Sequence, residues 1–408
     1  MHRTEVAVTG LGLVTAAGGG PGEFWDRLCT GRPTAAPDPL LTALRCSYSC
    51  QAAGFEPEKE LGGRLSRRLH RFAQLALVAA RRAVVDAELD PADARAERVG
   101  VVLGVGSNSL QGYGQEYAHL ARGHAHRVSP AALPRSVPNM AAGEIAIDLG
   151  VRGPNFVTSS ACASGATALG VARDLVRSGS CDVVLAGGSE SGRDPMTATG
   201  FGQLGVLSAA ASGEGPTSCA FARDRDGFVL GEGAAVLVLE SAAHARRRQA
   251  PVRAWLRGYG ASADAHHPTA PHPRGQGAED AVRAALADAG CPAREVGHVN
   301  AHGTGTVEGD RVEAAVLDRV FGDAAPPVVA VKGLTGHALG ASGAIEAAAT
   351  VLALQHQRLP PAAEIFDADP ELGVDLVVHR PRAVAAQTAL TCSFGFGGQN
   401  AALLFTAA

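Results

Sequence analysis

The strongest constraint on the fold is an alternation of strand-like and helical runs that comes twice along the chain. In the first half, residues 5–10, 99–103, 155–158, 182–186 and 234–240 read as strands, and residues 22–28, 66–87, 163–178 and 242–248 read as helices. The second half repeats the style, with strands at 253–259, 298–300, 328–331, 389–393 and 401–405 and helices at 278–289, 312–320 and 341–356. Strands separated by helices predict mostly parallel sheets covered on both faces. The halves also end alike. Gly231-Glu232-Gly233-Ala234-Ala235-Val236-Leu237-Val238 overlays Gly398-Gln399-Asn400-Ala401-Ala402-Leu403-Leu404-Phe405, each a glycine turn entering a continuous apolar strand. The pattern predicts an α/β fold made of two related halves, residues 1–248 and 252–408. No low-complexity linker separates them, so they are expected to share one layered body.

Composition bounds the function. A chain of 408 residues, 46% hydrophobic and 19% charged, can bury a large interior, and length alone suggests two or three domain-sized units. A net charge of −4 and the lack of a basic run exclude a general polyanion binder. The eight cysteines show no C-x-x-C spacing, and the chain opens directly on a strand-like run, so reduced thiols in a cytoplasm are expected. The longest apolar stretch, 341–354, contains Glu346 and is too short to span a bilayer.

Three motifs carry the chemistry. Cys162 lies in Ser159-Ser160-Ala161-Cys162-Ala163-Ser164-Gly165, between a strand and a helix on whose repeat Ala166, Leu169, Ala172 and Val176 fall. A thiol at a helix N-terminus is expected to have its pKa lowered by the dipole and the unpaired amides, which suits a nucleophile. His302-Gly303-Thr304-Gly305-Thr306 follows a strand end, and Lys332-Gly333-Leu334-Thr335-Gly336-His337 precedes a long apolar helix. The chain has only two lysines, Lys59 and Lys332, so a lysine beside a histidine motif points to a site that needs a compact ammonium. Phe394-Gly395-Phe396-Gly397-Gly398 lets a backbone amide approach a substrate closely. His298, His356 and His379 read as core histidines. His124, His126, His266, His267 and His272 read as loop histidines, because no cysteine or carboxylate completes a ligand pattern.

Together these motifs resemble the β-ketoacyl-acyl carrier protein synthases of the thiolase-like superfamily, specifically the elongating Cys-His-His group. The resemblance extends to Val8-Thr9-Gly10-Leu11-Gly12, Arg225-Asp226-Gly227-Phe228 and the segment Phe394 to Asn400. It implies a layered α-β-α-β-α fold and a decarboxylative condensation of an acyl-enzyme thioester with malonyl-acyl carrier protein. It assigns Cys162 as nucleophile and His302 and His337 as the groups that assist decarboxylation. Lys332 would orient the histidines together with Glu313, and the amides of Cys162 and Phe396 would form an oxyanion hole. Thr269 and Thr306 match the pantetheine-binding threonines, and Phe394 and Phe396 the gating loop. No cofactor is implied beyond the phosphopantetheine arm that the acyl carrier protein brings. Partners are that carrier and a second subunit, as a homodimer or with a chain-length-factor-like chain.

Some positions depart from the family pattern: Gly333, Val307, Gln399 and Ala222 stand where serine, proline, threonine and aspartate are usual. None removes a reacting group. Ser107 and Ala132 occupy places where bulkier residues are common in relatives that make saturated fatty acids. With Phe201 they are expected along the acyl tunnel, and their size tilts the reading toward polyketide synthesis over fatty-acid elongation. Arg64, Arg67 and Arg68, with Arg71, are expected on one helix face as a docking patch for an acidic carrier. A thiolase would need a second cysteine as base; Cys392 lies near the right place but lacks the Cys-x-Gly context. A non-catalytic chain-length subunit would lack the nucleophile.

Overall fold

The computed structural model describes residues 4–52, 54–91, 94–107, 110–209, 218–363 and 368–408. Ten strands form one mixed sheet: β1 (Val6–Thr15), β2 (Val99–Gly104), β3 (Asn155–Thr158), β4 (Val183–Ser191), β5 (Glu232–Ser241), β6 (Ala254–Ala263), β7 (His298–Asn300), β8 (Val328–Val329), β9 (Thr388–Gly395) and β10 (Gln399–Ala407). Their spatial order is β8-β7-β9-β10-β6-β1-β5-β4-β2-β3. Read outward from the β1–β6 seam, the two halves have the same order, first strand, last strand, fourth, second, third. The duplication legible in the strand ends is therefore a duplication of topology. The seam is thin, pairing only Ala7 with Trp255 and Val8 with Ala254.

The expectation of mostly parallel sheets needs correction. β2 runs parallel to β3 and β4, and β7 parallel to β8 and β9, but the central pairings β4–β5, β5–β1, β1–β6, β6–β10 and β10–β9 are antiparallel. The last strand of each half is inserted between the first and fourth. In the second half a tight turn over residues 395–399 makes β9 and β10 a hairpin, which cannot be parallel. Continuous apolar strands looked parallel because both kinds are buried on two faces here.

Six helices complete the layers: α1 (Arg71–Asp86), α2 (Met140–Leu149), α3 (Ser164–Arg177), α4 (Gln276–Ala289), α5 (Val307–Phe321) and α6 (Ser342–His356). α1 and α2 share one apolar core with strands of the first half, and α4 and α5 share another with strands of the second. α3 and α6 lie between, in a core that draws on both halves. The result is the expected α-β-α-β-α stack. Its outer contacts are closest at two glycine pairs. A Cβ on Gly10 or Gly12 of β1 would lie 2.4 and 1.9 Å from the carbonyls of Ala83 and Ala79 in α1. The same holds for Gly258 and Gly260 of β6 against Ala285 and Ala281 in α4, at 2.3 and 2.0 Å. Gly-x-Gly on the first strand facing Ala-x-x-x-Ala on the outer helix is thus built twice.

The helix expected over 66–87 is two elements. A helix over Pro57–Arg68 ends at Leu69 and His70, both extended, before α1 begins. Among the described residues no helix is long and apolar enough to cross a membrane, and no disulfide joins the cysteines.

Away from the catalytic motifs, Glu240 at the end of β5 is fully buried and binds Thr9, His244 and Arg248. Burial raises its pKa, but the hydrogen bonds to Arg248, His244 and Thr9 outweigh that and hold it at about 2. The carboxylate therefore adds stability that is complete above about pH 4.5 and is lost as pH falls toward 2, a difference of roughly 3 kcal/mol. Denaturation of Glu240→Gln should show its largest deficit against the parent near neutral pH and a shrinking deficit below pH 4. A deficit independent of pH would rule this linkage out.

Candidate active site

Cys162 sits two residues before α3, on a turn in which Ala161 adopts a left-handed φ of 49°. Its sulfur is 3.2 Å from Nε2 of His337, and the backbone amide of Phe396 donates to it. That approach requires Gly395: a Cβ there would be 3.1 Å from the Cys162 nitrogen and 2.8 Å from the Ser160 carbonyl. The Phe396 amide of the expected oxyanion hole therefore faces the thiol. The expected lowering of the thiol pKa is not found. Burial pushes it up to about 11, against the opposing pull of the Lys332 charge and the Phe396 amide. Burial therefore favours the thiol over the thiolate at rest.

His302 leaves the end of β7, and its backbone is fixed from below. Glu313 of α5 accepts from the amides of His302 and Gly303, each at 2.8 Å. Lys332, in the single turn after β8, reaches Nδ1 of His302 at 3.2 Å and also donates to its carbonyl. An ammonium only donates, so Nδ1 is the acceptor and the proton of His302 lies on Nε2. His337 stands 5.6 Å from His302, ring centre to ring centre, with planes near perpendicular. Both imidazoles are held neutral well below the usual histidine range, by burial first and then by the Lys332 charge.

Lys332 and Glu313 both hold the His302 segment, and the ion-pair partner of Lys332 lies elsewhere. Lys332 pairs with Glu346 of α6, each side chain 1% exposed. Glu313 is engaged with backbone amides, and burial raises its pKa to about 7. Glu346 was visible in the sequence as the single charge in the apolar run 341–354, a residue that burial would not tolerate unpaired.

A cavity of about 320 Å³ opens onto Cys162. Thr269, Thr306, Phe201, Phe394, Phe396 and Glu313 line it together with both histidines. Phe394 lies edge-on to His302 at 5.9 Å, and Phe396 packs against Phe201 at 5.8 Å. The hairpin turn carrying Phe396 is latched to the Thr269 loop: Asn400 donates to Asp264 at 2.8 Å and Gly397 to the carbonyl of Pro268 at 2.7 Å. Asp264 and Pro268 were not singled out by the sequence. Ser107 and Ala132 are not among the lining residues. The Ser107 amide is bound to buried Glu190 at 2.9 Å, and Ala132 starts a short helix. Cys392 is buried within β9 and does not line the cavity.

On the surface, Arg64 and Arg67 are exposed and form no ion pair among the described residues. Arg68 pairs with Glu144, and Arg71 is bound in two places to buried Glu232 while stacking over Phe55. Arg71 is a structural residue, not part of a docking patch.

Residues 3–245 match the family model for the β-ketoacyl synthase N-terminal domain, and residues 253–365 match that for its C-terminal domain. The chain belongs to the β-ketoacyl synthase family. It is 38% identical over 408 residues to a 3-oxoacyl-[acyl-carrier-protein] synthase 2 of Staphylococcus aureus (strain N315), covering 98% of each chain. Among solved structures, the ishigamide ketosynthase/chain length factor superposes with a TM-score of 0.93 at 32% identity, over 100% of both chains. A type II polyketide synthase ketosynthase, solved with its acyl-carrier protein and bound to a hexaketide, gives 0.91 at 29% identity, again over 100% of both.

The buried ion pair can be tested within this synthase fold. Lys332→Met leaves Glu346 without a partner and should cost about 3–5 kcal/mol in chemical denaturation. The double variant Lys332→Met, Glu346→Leu should recover most of that loss. Additive losses would show that the two side chains do not act as a pair.

Proposed function

We propose that the chain catalyses the decarboxylative condensation of an acyl group held on Cys162 with malonyl-acyl carrier protein, giving β-ketoacyl-acyl carrier protein. The observation that carries this reading is one thiol facing two neutral imidazoles around a single cavity. In the loading step the Cys162 sulfur attacks the acyl thioester carbonyl. The carbon–sulfur bond to the carrier breaks, and the thiol proton leaves with the carrier's sulfur. The amides of Cys162 and Phe396 hold the oxyanion, each donor contributing about 10²–10³ in rate. In the second step malonyl-carrier loses CO2, and the electron pair of the broken bond becomes an enolate. Nε2 of His302 and of His337 donate to its oxygen, so no strong base is needed. The enolate carbon then attacks the Cys162 thioester, forming the new carbon–carbon bond and releasing the thiolate, which takes up a proton.

Thr269 and Thr306 lie where the carrier's pantetheine arm would run, and Phe394 and Phe396 where a gate would move. The arm arrives with the substrate. The relatives' structures contain a carrier protein in one case and a chain length factor in another. In either kind of pair this chain, which has the thiol, takes the condensing role. A non-catalytic chain-length subunit has no use for a thiol 3.2 Å from an imidazole.

Intact-mass analysis tests the nucleophile: Cys162→Ala should fold but gain no acyl increment from acyl-carrier substrate. His302→Ala should still load, while CO2 release from malonyl-carrier falls by at least 10²-fold or so. Equal loss of both steps would make His302 structural.

Docking is assigned to Arg64 and Arg67. Reversing both charges should raise the apparent KM for carrier-bound substrate and flatten its dependence on salt, with kcat little changed. Unchanged kinetics would place the carrier elsewhere.

A further inference from the structure

Ser342 is a residue to which the reading above gives no role. It is 3% exposed and opens α6. Its hydroxyl oxygen lies 2.9 Å from Nδ1 of His337, the ring nitrogen opposite the one that faces Cys162. The internal repeat shows how specific this contact is. Cys162-Ala163-Ser164-Gly165-Ala166 opens α3, and Gly340-Ala341-Ser342-Gly343-Ala344 opens α6. The residues just before these segments, Ala161 and Leu339, both adopt left-handed φ, 49° and 45°. The two openings also touch reciprocally: a Cβ on Gly165 would meet the Ala344 nitrogen at 2.8 Å, and one on Gly343 the Ala166 nitrogen at 2.9 Å.

Ser342 is thus the counterpart of Ser164, yet the two hydroxyls do different things. Ser164 closes its own turn, accepting from the Ser160 amide at 2.9 Å and donating to the Ala161 carbonyl at 2.6 Å. In the second copy the hydroxyl is turned to the histidine instead. The His337 backbone is already pinned on both sides, its amide donating to Val229 and its carbonyl accepting from Gly231. The hydroxyl therefore adds nothing to the path of the chain. What it adds is a partner for one ring nitrogen.

We propose that Ser342 is a positioning residue for the condensation step, donating its hydroxyl proton to Nδ1 of His337 and so keeping the imidazole proton on Nε2. This rests on the condensing reaction described above. Ser342 is the uncharged equivalent of Lys332, which supplies a donor to Nδ1 of His302. With a donor behind each ring, both Nε2–H groups converge on the enolate oxygen. No proton is transferred in this role. The hydroxyl fixes a tautomer, and the imidazole donates a hydrogen bond that strengthens as charge develops.

The test compares the full-length protein with Ser342→Ala, a change to a smaller residue with high helix propensity. Three quantities are read: acyl loading of Cys162 by mass, CO2 release from malonyl-carrier, and ¹⁵N shifts of labelled histidine rings. The parent should show His337 with its proton on Nε2. The alanine variant should lose that single tautomer and release CO2 about 10–100-fold more slowly, with loading within about twofold of the parent. A proton on Nδ1 in the parent overturns the proposal, as does a variant that condenses at the parent rate or loses both steps equally. If the parent itself releases no CO2, the condensing reading fails, while the ring shifts still decide what Ser342 does.

Discussion

One ammonium group organises the centre of this molecule. Lys332 is 1% exposed, and its charge acts on Cys162, His302, His337, Asp310, Glu313 and Glu346 at once. It adds to burial in keeping the imidazoles neutral, opposes the rise that burial gives the thiol pKa, and offsets part of the cost of burying three carboxylates. Burial raises Asp310 to about 6 and Glu313 and Glu346 to about 7, against the opposing pull of Lys332 on all three and of Arg225 on Asp310. The consequence is a site whose protonation states are set collectively. A side chain that moved the charge by the length of a guanidinium would alter every one of them, which is a physical reason for lysine at this position in a chain so rich in arginine.

The geometry around that charge comes from layer packing. Small residues at the openings of α3 and α6 let the two buried helices meet end to end, and the turns before them bring the thiol and one imidazole together. The glycine-alanine contacts of the outer layers set each outer helix on its half of the sheet at a spacing that only small side chains permit. The chemistry is therefore anchored on helices and strands, while the Phe396 turn and the Thr269 loop, which line the cavity, are tied to each other by Asp264 and Asn400. Stiff donors and a latched entrance suit a reaction in which an enolate has to be shielded and held.

Much of this was legible in the sequence because its signals are local. Strand–Cys–helix, histidine beside glycine, and two matching strand ends are contiguous patterns, and each was found where it was expected. What escaped was non-local. Lys332 is joined to Glu346, a partner the sequence reading did not name, through a fold in the chain that periodicity does not report. The thiol's environment was judged from the helix dipole, and burial proved larger. The antiparallel centre of the sheet was missed since a strand covered on both faces has the same composition in either direction.

The repeated openings of α3 and α6 give the duplication a meaning beyond architecture. Two copies of one turn start from the same backbone and the same serine, but only one acquired the thiol, and the other gave its serine to a neighbour's ring. Symmetry of this kind supplies spare parts. Once the scaffold no longer needs both hydroxyls to close both turns, one of them is at liberty to take up new work without any change in the path of the chain. The reactive centre lies where the copies touch, so neither half contains it, and its asymmetry is the record of how identical halves came to divide a task.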